Sequence, residues 1–115
     1  MNKKNIQLSI RSFLALALIW SFTMTTETVA QSQFRALVFS KTKGFRHQSI
    51  PDGVMAIKKL AAKHRFQVFT TEDEAEFTKE KLEKYDVIIL VSTTGTIFNA
   101  EQKAAFEEFV QSGKG

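Results

Sequence analysis

The run Val87-Ile88-Ile89-Leu90-Val91 is apolar at every position, and that constrains the fold more than any other stretch of the chain. Successive side chains of a strand point to opposite faces of its sheet. A strand without a polar position therefore needs cover on both faces, which a parallel sheet between helical layers provides. Two further apolar runs rich in β-branched and aromatic residues precede it, Phe34 to Ser40 and Phe66 to Thr70. The second is short and alternating, as suits a sheet edge. Three stretches of helical character alternate with the three runs, with no long linker, repeat or low-complexity segment between them. One domain in βαβαβα order is expected, an α/β fold with a parallel sheet. If its strand order is 2-1-3, Asp86 to Val91 lies at an edge, where an all-apolar strand is a pairing hazard.

The first helix is expected from about Ile50 to Arg65, with Val54, Ile57, Leu60 and Ala61 on one face and Lys58, Lys59 and Lys63 towards water. Ser49 is the expected N-cap, with Pro51 in the first turn. The second helix is short, capped by Thr78, with Phe77 placed to pack on Leu82 as a hydrophobic staple. The third starts from an Asn99 cap, buries Phe106, Phe109 and Val110, and ends at Gly113.

Residues 1–30 stand apart from this pattern. Lys3, Lys4 and Arg11 precede an apolar run from Phe13 to Phe22, and a polar stretch ends at Thr28-Val29-Ala30. This is the pattern of a secretory signal peptide, with cleavage expected after Ala30 and export to the periplasm or the exterior. The apolar run is about half the ~20 residues a membrane-spanning helix needs, so no permanent anchor is expected. No Cys follows it to carry a lipid.

Three of the 16 basic residues and one of the 12 acidic residues lie in this leader, leaving a charge of +2 on the remainder. The whole-chain pI of about 9.5 thus owes part of its height to the leader. The other basic residues are interspersed with acids and form no stripe, which argues against a nucleic-acid partner. With zero Cys, a disulfide framework, a Cys metal site and a thiol nucleophile are all excluded from this chain.

Parallel strands joined by right-handed crossovers bring their carboxyl ends to one rim, where ligands of such folds bind. The loops leaving that rim are Lys41 to Gln48, Thr71 to Phe77 and Ser92 to Asn99. His47 is the sharpest candidate. It lies just ahead of a helix N-terminus, whose dipole favours a neutral ring able to accept, donate or act as a base, although a loop-bracing role fits the same position. Arg46 offers a planar fork for a carboxylate or for sugar hydroxyls, against the plainer reading of a solvated loop cation. Glu72 and Asp73 follow the second strand where dinucleotide folds place a ribose-binding acid, yet with Glu74 and Glu76 they also read as a solvated acidic turn. Thr93, Thr94 and Gly95 can bring backbone N–H groups to a ligand or serve an ordinary turn. Phe45 and Phe98 fit either stacking on a ligand or packing. His64, beside Lys63 and Arg65, suits the C-terminal end of the helix dipole.

Four segments in order carry a family likeness: S-K-T-K-G-F-R-H-Q-S-I, F-T-T-E-D, Y-D-V-I-I-L-V-S-T-T-G and A-F-E-E-F-V-Q-S-G-K-G. Together, over Phe34 to Gly115, they resemble the N-terminal part of the trehalose-utilisation (ThuA-like) domain, which has a class I glutamine amidotransferase-like fold. The resemblance implies a flavodoxin-like parallel sheet and a role connected with sugars, often in exported bacterial proteins. It carries over Gly44, His47, Asp73, Thr94 and Gly95 as site positions, with roles unassigned. Taken with the rim loops, the catalytic candidates are His47 and Asp73, and the ligand-binding ones are Gly44, Phe45, Arg46, Thr93, Thr94 and Gly95. The resemblance defines no reaction, cofactor or oligomeric state. Family members continue from the glycine-rich turn into a further strand and an elbow that in glutamine amidotransferases holds a nucleophilic Cys. Residues 31–115 are therefore expected to be the first part of a larger domain.

The leading expectation is a domain acting on or binding a carbohydrate or sugar derivative, and the alternative is a non-catalytic glycan or protein recognition module. A flavodoxin-type phosphate or FMN site on Ser40-Lys41-Thr42-Lys43-Gly44 is a third reading, since this segment follows the first strand as an anion loop would. Its order of Thr, Lys and Gly matches the flavodoxin loop poorly.

Overall fold

A computed structural model describes residues 31–115. The leader, its cleavage point and the excluded anchor lie outside these residues. Among those described, no helix is long and apolar enough to cross a membrane.

The strands are β1, Arg35–Phe39, β2, Gln67–Thr71, and β3, Val87–Leu90, and the helices are α1, Ile50–His64, α2, Lys79–Leu82, and α3, Ala100–Gln111. A 3-10 turn at Glu74–Glu76 precedes α2. The three strands form one parallel sheet in the order β2-β1-β3. Leu37 stands opposite Phe69 on one side and Ile88 on the other, while Val38 stands between Thr70 and Ile89. The expected α/β class and 2-1-3 order are thus present.

The pleat sorts these side chains onto two faces. Leu37, Phe39 and Ile88 meet Phe77, Leu82, Tyr85, Phe98, Phe106 and Phe109 in the main core, which α2 and α3 close. Ala36 and Val38 face the other way and are fully buried beneath α1. There Gly53 is a requirement of packing, because a Cβ at this position would stand 3.2 Å from Val91 Cγ1. Helix and strand approach more closely than an alanine allows without displacing the valine.

Two of the expected caps form. Thr78 accepts from the Lys81 N–H, and Phe77 and Leu82 are both buried, as the staple requires. Asn99 accepts from the Gln102 N–H at 2.8 Å while Gln102 Oε1 accepts the Asn99 N–H at 3.0 Å, a reciprocal capping box. Ser49 does not cap α1. Its backbone is already helical, at φ −75° and ψ −7°, and its side chain makes no cap hydrogen bond. An N-cap side chain reaches the first free N–H groups only from extended backbone. The first turn is entered instead through the His47 carbonyl, which accepts the Ile50 N–H at 3.3 Å. At the other end Arg65 takes the left-handed conformation, φ 56°, without a glycine.

Two positions expected in apolar faces stand half in water, Leu60 on α1 and Val110 on α3, each 50% exposed. Periodicity places both beside a buried stripe, and among the described residues neither has an element packed over it. Beside β3, the Ile88 N–H donates to the Gly115 carbonyl at 2.7 Å and the Gly115 N–H to Asp86 at 3.2 Å. The edge expected at β3 therefore has its first two backbone pairings already taken.

Candidate functional site

The loops that leave the carboxyl ends of the strands are pinned together by two separate devices. Loop 1, after β1, and loop 3, after β3, are joined through backbone. Thr42 and Thr94 form an isolated parallel bridge, and the Lys43 N–H donates to the Thr94 carbonyl at 2.8 Å. The Thr94 hydroxyl then donates to the Phe45 carbonyl at 2.7 Å. Gly95 completes the joint at φ 77°, where an added Cβ would stand 3.0 Å from Gly44 N and 3.0 Å from the Lys43 carbonyl carbon. Gly44, Thr94 and Gly95 are thus brought together, facing one another. Their small size and hydroxyl hold loop 1 against loop 3. Thr93 lies half-buried within the same joint.

Loop 2, after β2, grips loop 1 by charge. Arg46 presents its fork to Glu72, Nη2 to Oε1 at 2.7 Å and Nη1 to Oε2 at 3.1 Å, a bidentate geometry that a lysine cannot reproduce. Ser40 Oγ reaches the same carboxylate at 3.4 Å. Two residues on, Glu74 pairs with Lys41 and, at 3.7 Å, with Lys43. The Glu74 carbonyl accepts from Gln102 Nε2 at 3.0 Å, so the turn is tied to α3 as well. Three cations of loop 1 are therefore held by two acids of loop 2. Asp73, between those acids, plays no part in the clasp. Its Oδ1 accepts the Ala75 N–H at 2.9 Å and caps the 3-10 turn.

The pairing holds both carboxyls below the ordinary carboxylate range, Glu72 chiefly through the Arg46 hydrogen bonds and Glu74 chiefly through that from Lys41. Arg46 is raised in turn by the Glu72 hydrogen bonds. Carboxyls depressed in the folded state lend their stabilisation above the unfolded carboxyl range, and that stabilisation disappears as pH falls through the folded values. Arg46 and Glu72 are solvent-exposed and Lys41 and Glu74 only partly buried, so the contribution is modest and screened by salt. Thermal midpoints measured across pH should show wild type above a Glu72→Gln/Glu74→Gln double variant at neutral pH, with the curves merging in acid. A gap that stays constant into strong acid would mean the clasp adds nothing through its charge.

What the pinned loops display is an aromatic and a histidine. Phe45 is 72% exposed, and its ring meets His47 edge to face at a centroid distance of 5.0 Å. Such a side chain has no role in the core, whereas Phe98, the other aromatic of the rim, stacks on Phe39 and packs at a tilt against Phe77 inside it. Among the described residues no carboxylate pairs with the His47 ring. The acid clasp was not foreseen from the sequence. Its only signal there was opposite charge in two neighbouring loops, Lys41, Lys43 and Arg46 facing Glu72 and Glu74.

A family model described as trehalose utilisation, ThuA, matches residues 35–115. The chain belongs to the ThuA family. In structure it is similar to a ThuA-like protein from Bacteroides uniformis ATCC 8492, with a TM-score of 0.62 and 23% sequence identity over 79% of this chain. The chain spans 37% of that protein's length. No curated protein matches it. Within this ThuA chain, the family match covers both the clasped loops and the Thr42–Thr94 joint.

Proposed function

We propose that this ThuA domain binds or acts on a carbohydrate or sugar derivative at the loop rim, within a protein exported to the periplasm or the exterior. The observation that carries the reading is Phe45. Its ring is open to solvent and meets the His47 edge, while the Thr94 hydroxyl holds the Phe45 backbone beneath it. A pre-positioned apolar face with polar groups beside it is what a sugar ring requires, since one side of the sugar is carbon and hydrogen and its rim is hydroxyl. In this reading Phe45 stacks on the ligand, His47 and the outer edge of Arg46 meet its hydroxyls, and the family's trehalose-utilisation name supports a sugar as the ligand class. Catalysis, where it occurs, falls to His47 and Asp73.

One observation favours the alternative of a recognition module: Asp73 already spends a carboxylate oxygen on the 3-10 turn, and His47 has no orienting acid among the described residues. Titration of the full chain with a panel of disaccharides and keto-sugars separates the two. Phe45→Ala should weaken binding about tenfold, the scale of exposing an apolar contact of ~1.5 kcal/mol. His47→Ala should abolish turnover in an enzyme and leave only a binding defect in a recognition module. No binding by wild type, or Phe45→Ala indistinguishable from it, would overturn the sugar reading.

A further inference from the structure

On the sheet face that α1 covers, a groove opens between α1 and the outer end of β2, lined by Ser40, Arg46, Val54, Met55, Lys58 and Glu72 among others. Neither Phe45 nor His47 lines it. Its wall is apolar yet open, Met55 being 54% exposed in the middle of a helix face. Its charge is unbalanced. Arg46 and Glu72 neutralise one another through both terminal nitrogens, whereas Lys58 has no acidic partner among the described residues. At its floor lies Ser40, the buried polar residue of the core, only 6% exposed. Its hydroxyl reaches Glu72 at 3.4 Å, well beyond the ~2.7 Å of a satisfied O–H···O bond. The groove thus combines an apolar wall, a free cation, a carboxylate with lone pairs to spare and a buried hydroxyl that is under-used.

We propose that this groove is a second ligand site, for a small anionic polyol such as a sugar acid or a sugar phosphate. The anionic group pairs with Lys58, the hydroxyls are read by Glu72 and Ser40, and the carbon chain lies on Met55 and Val54. A neutral sugar leaves Lys58 unpaired, and a simple carboxylate leaves Glu72 and Ser40 unread, so the combination selects for both features. The site does not depend on sugar binding at Phe45.

The test uses the full chain labelled with ¹³C at the methionine methyl groups, with the Met55 resonance assigned by its loss in Met55→Leu. Gluconate and glucose 6-phosphate, titrated separately, should move that resonance saturably, while glucose at the same concentrations should not. A response to only one of the two anions supports the site and identifies carboxylate or phosphate as its group. Lys58→Gln should weaken the response about fivefold, the upper end for an exposed charge pair, and Lys63→Gln, on the same helix outside the groove, should not. Movement by neither anion, equal movement by glucose, or a Lys58→Gln response equal to wild type would each overturn the proposal. The Phe45 face is scored by Phe45→Ala and this groove by Lys58→Gln, so failure of one leaves the other standing.

Discussion

Phe77→Ala is expected to lower stability by about 3–5 kcal/mol, the cost of emptying a well-packed aromatic site. Phe77 is 1% exposed and lies in the segment between the 3-10 turn and α2. Its ring touches Phe39 of β1 edge-on at 4.7 Å, Phe98 of loop 3 at 4.2 Å and Phe106 of α3 at 5.8 Å. Strand, loop and helix therefore converge on a single side chain, and no neighbour can relax into the void without leaving another. The same residue is the staple that sets where α2 begins. Because domains of this size hold only about 5–15 kcal/mol in total, the thermal midpoint should fall by more than about 10 °C. A loss under ~3 °C in a calorimetric scan would mean that the aromatic cluster is not closed around Phe77. Phe106→Leu, at the edge of the cluster, should cost far less.

The strands were legible because their signal is local and redundant. An all-apolar β3 admits few arrangements, and its apolar positions, with those of β1, supply both layers of the core. Caps were legible where a side chain and its target lie three residues apart, as at Thr78 and Asn99. Ser49 shows the limit: the residue type is right, but the cap depends on backbone angles that the His47 turn decides. Leu60 and Val110 show another, since a hydrophobic stripe reveals which side of a helix faces inward and not how far the neighbouring layer extends. The clasp was beyond sequence reasoning for a physical reason. Arg46 and Glu72 are 26 residues apart, and Lys41 and Glu74 are 33 apart, so their pairing follows from the sheet order and from nothing nearby in the chain. By sequence Glu72, Asp73 and Glu74 read either as hydroxyl-binding acids or as one solvated acidic turn. The fold separates them by the pleat and the 3-10 turn into a partner for Arg46, a cap and a partner for Lys41. Likewise Thr94 and Gly95 fit either a ligand or an ordinary turn by sequence, whereas the adjacency of β1 and β3 sets these residues against loop 1.

Gly95→Ala should therefore do more than a helix-end glycine change, and comparison with Gly113→Ala isolates the reason. Both glycines are left-handed, at φ 77° and 86°, so both substitutions carry the roughly 1–2 kcal/mol cost of a Cβ in that conformation. At Gly113 nothing lies within 4 Å of the added atom, and the cost should end there. At Gly95 the new Cβ meets backbone on the facing loop, Gly44 N and the Lys43 carbonyl carbon, both at 3.0 Å. Backbone cannot swing aside as a side chain can, so loop 1 must retreat from loop 3. Retreat weakens the Lys43 N–H to Thr94 carbonyl bond, worth about 1 kcal/mol. The expected total is about 2–4 kcal/mol for Gly95→Ala. The retreat also loosens the hold of the Thr94 hydroxyl on the Phe45 carbonyl, which anchors the backbone that carries the exposed ring. Denaturant melts of the two variants measure the first effect. Amide exchange at Lys43, which should accelerate in Gly95→Ala and stay at the wild-type rate in Gly113→Ala, measures the second. Equal destabilisation by the two substitutions, with Lys43 protected in both, would show that the joint between the loops is not closed and that the Phe45 face is not held in place from loop 3.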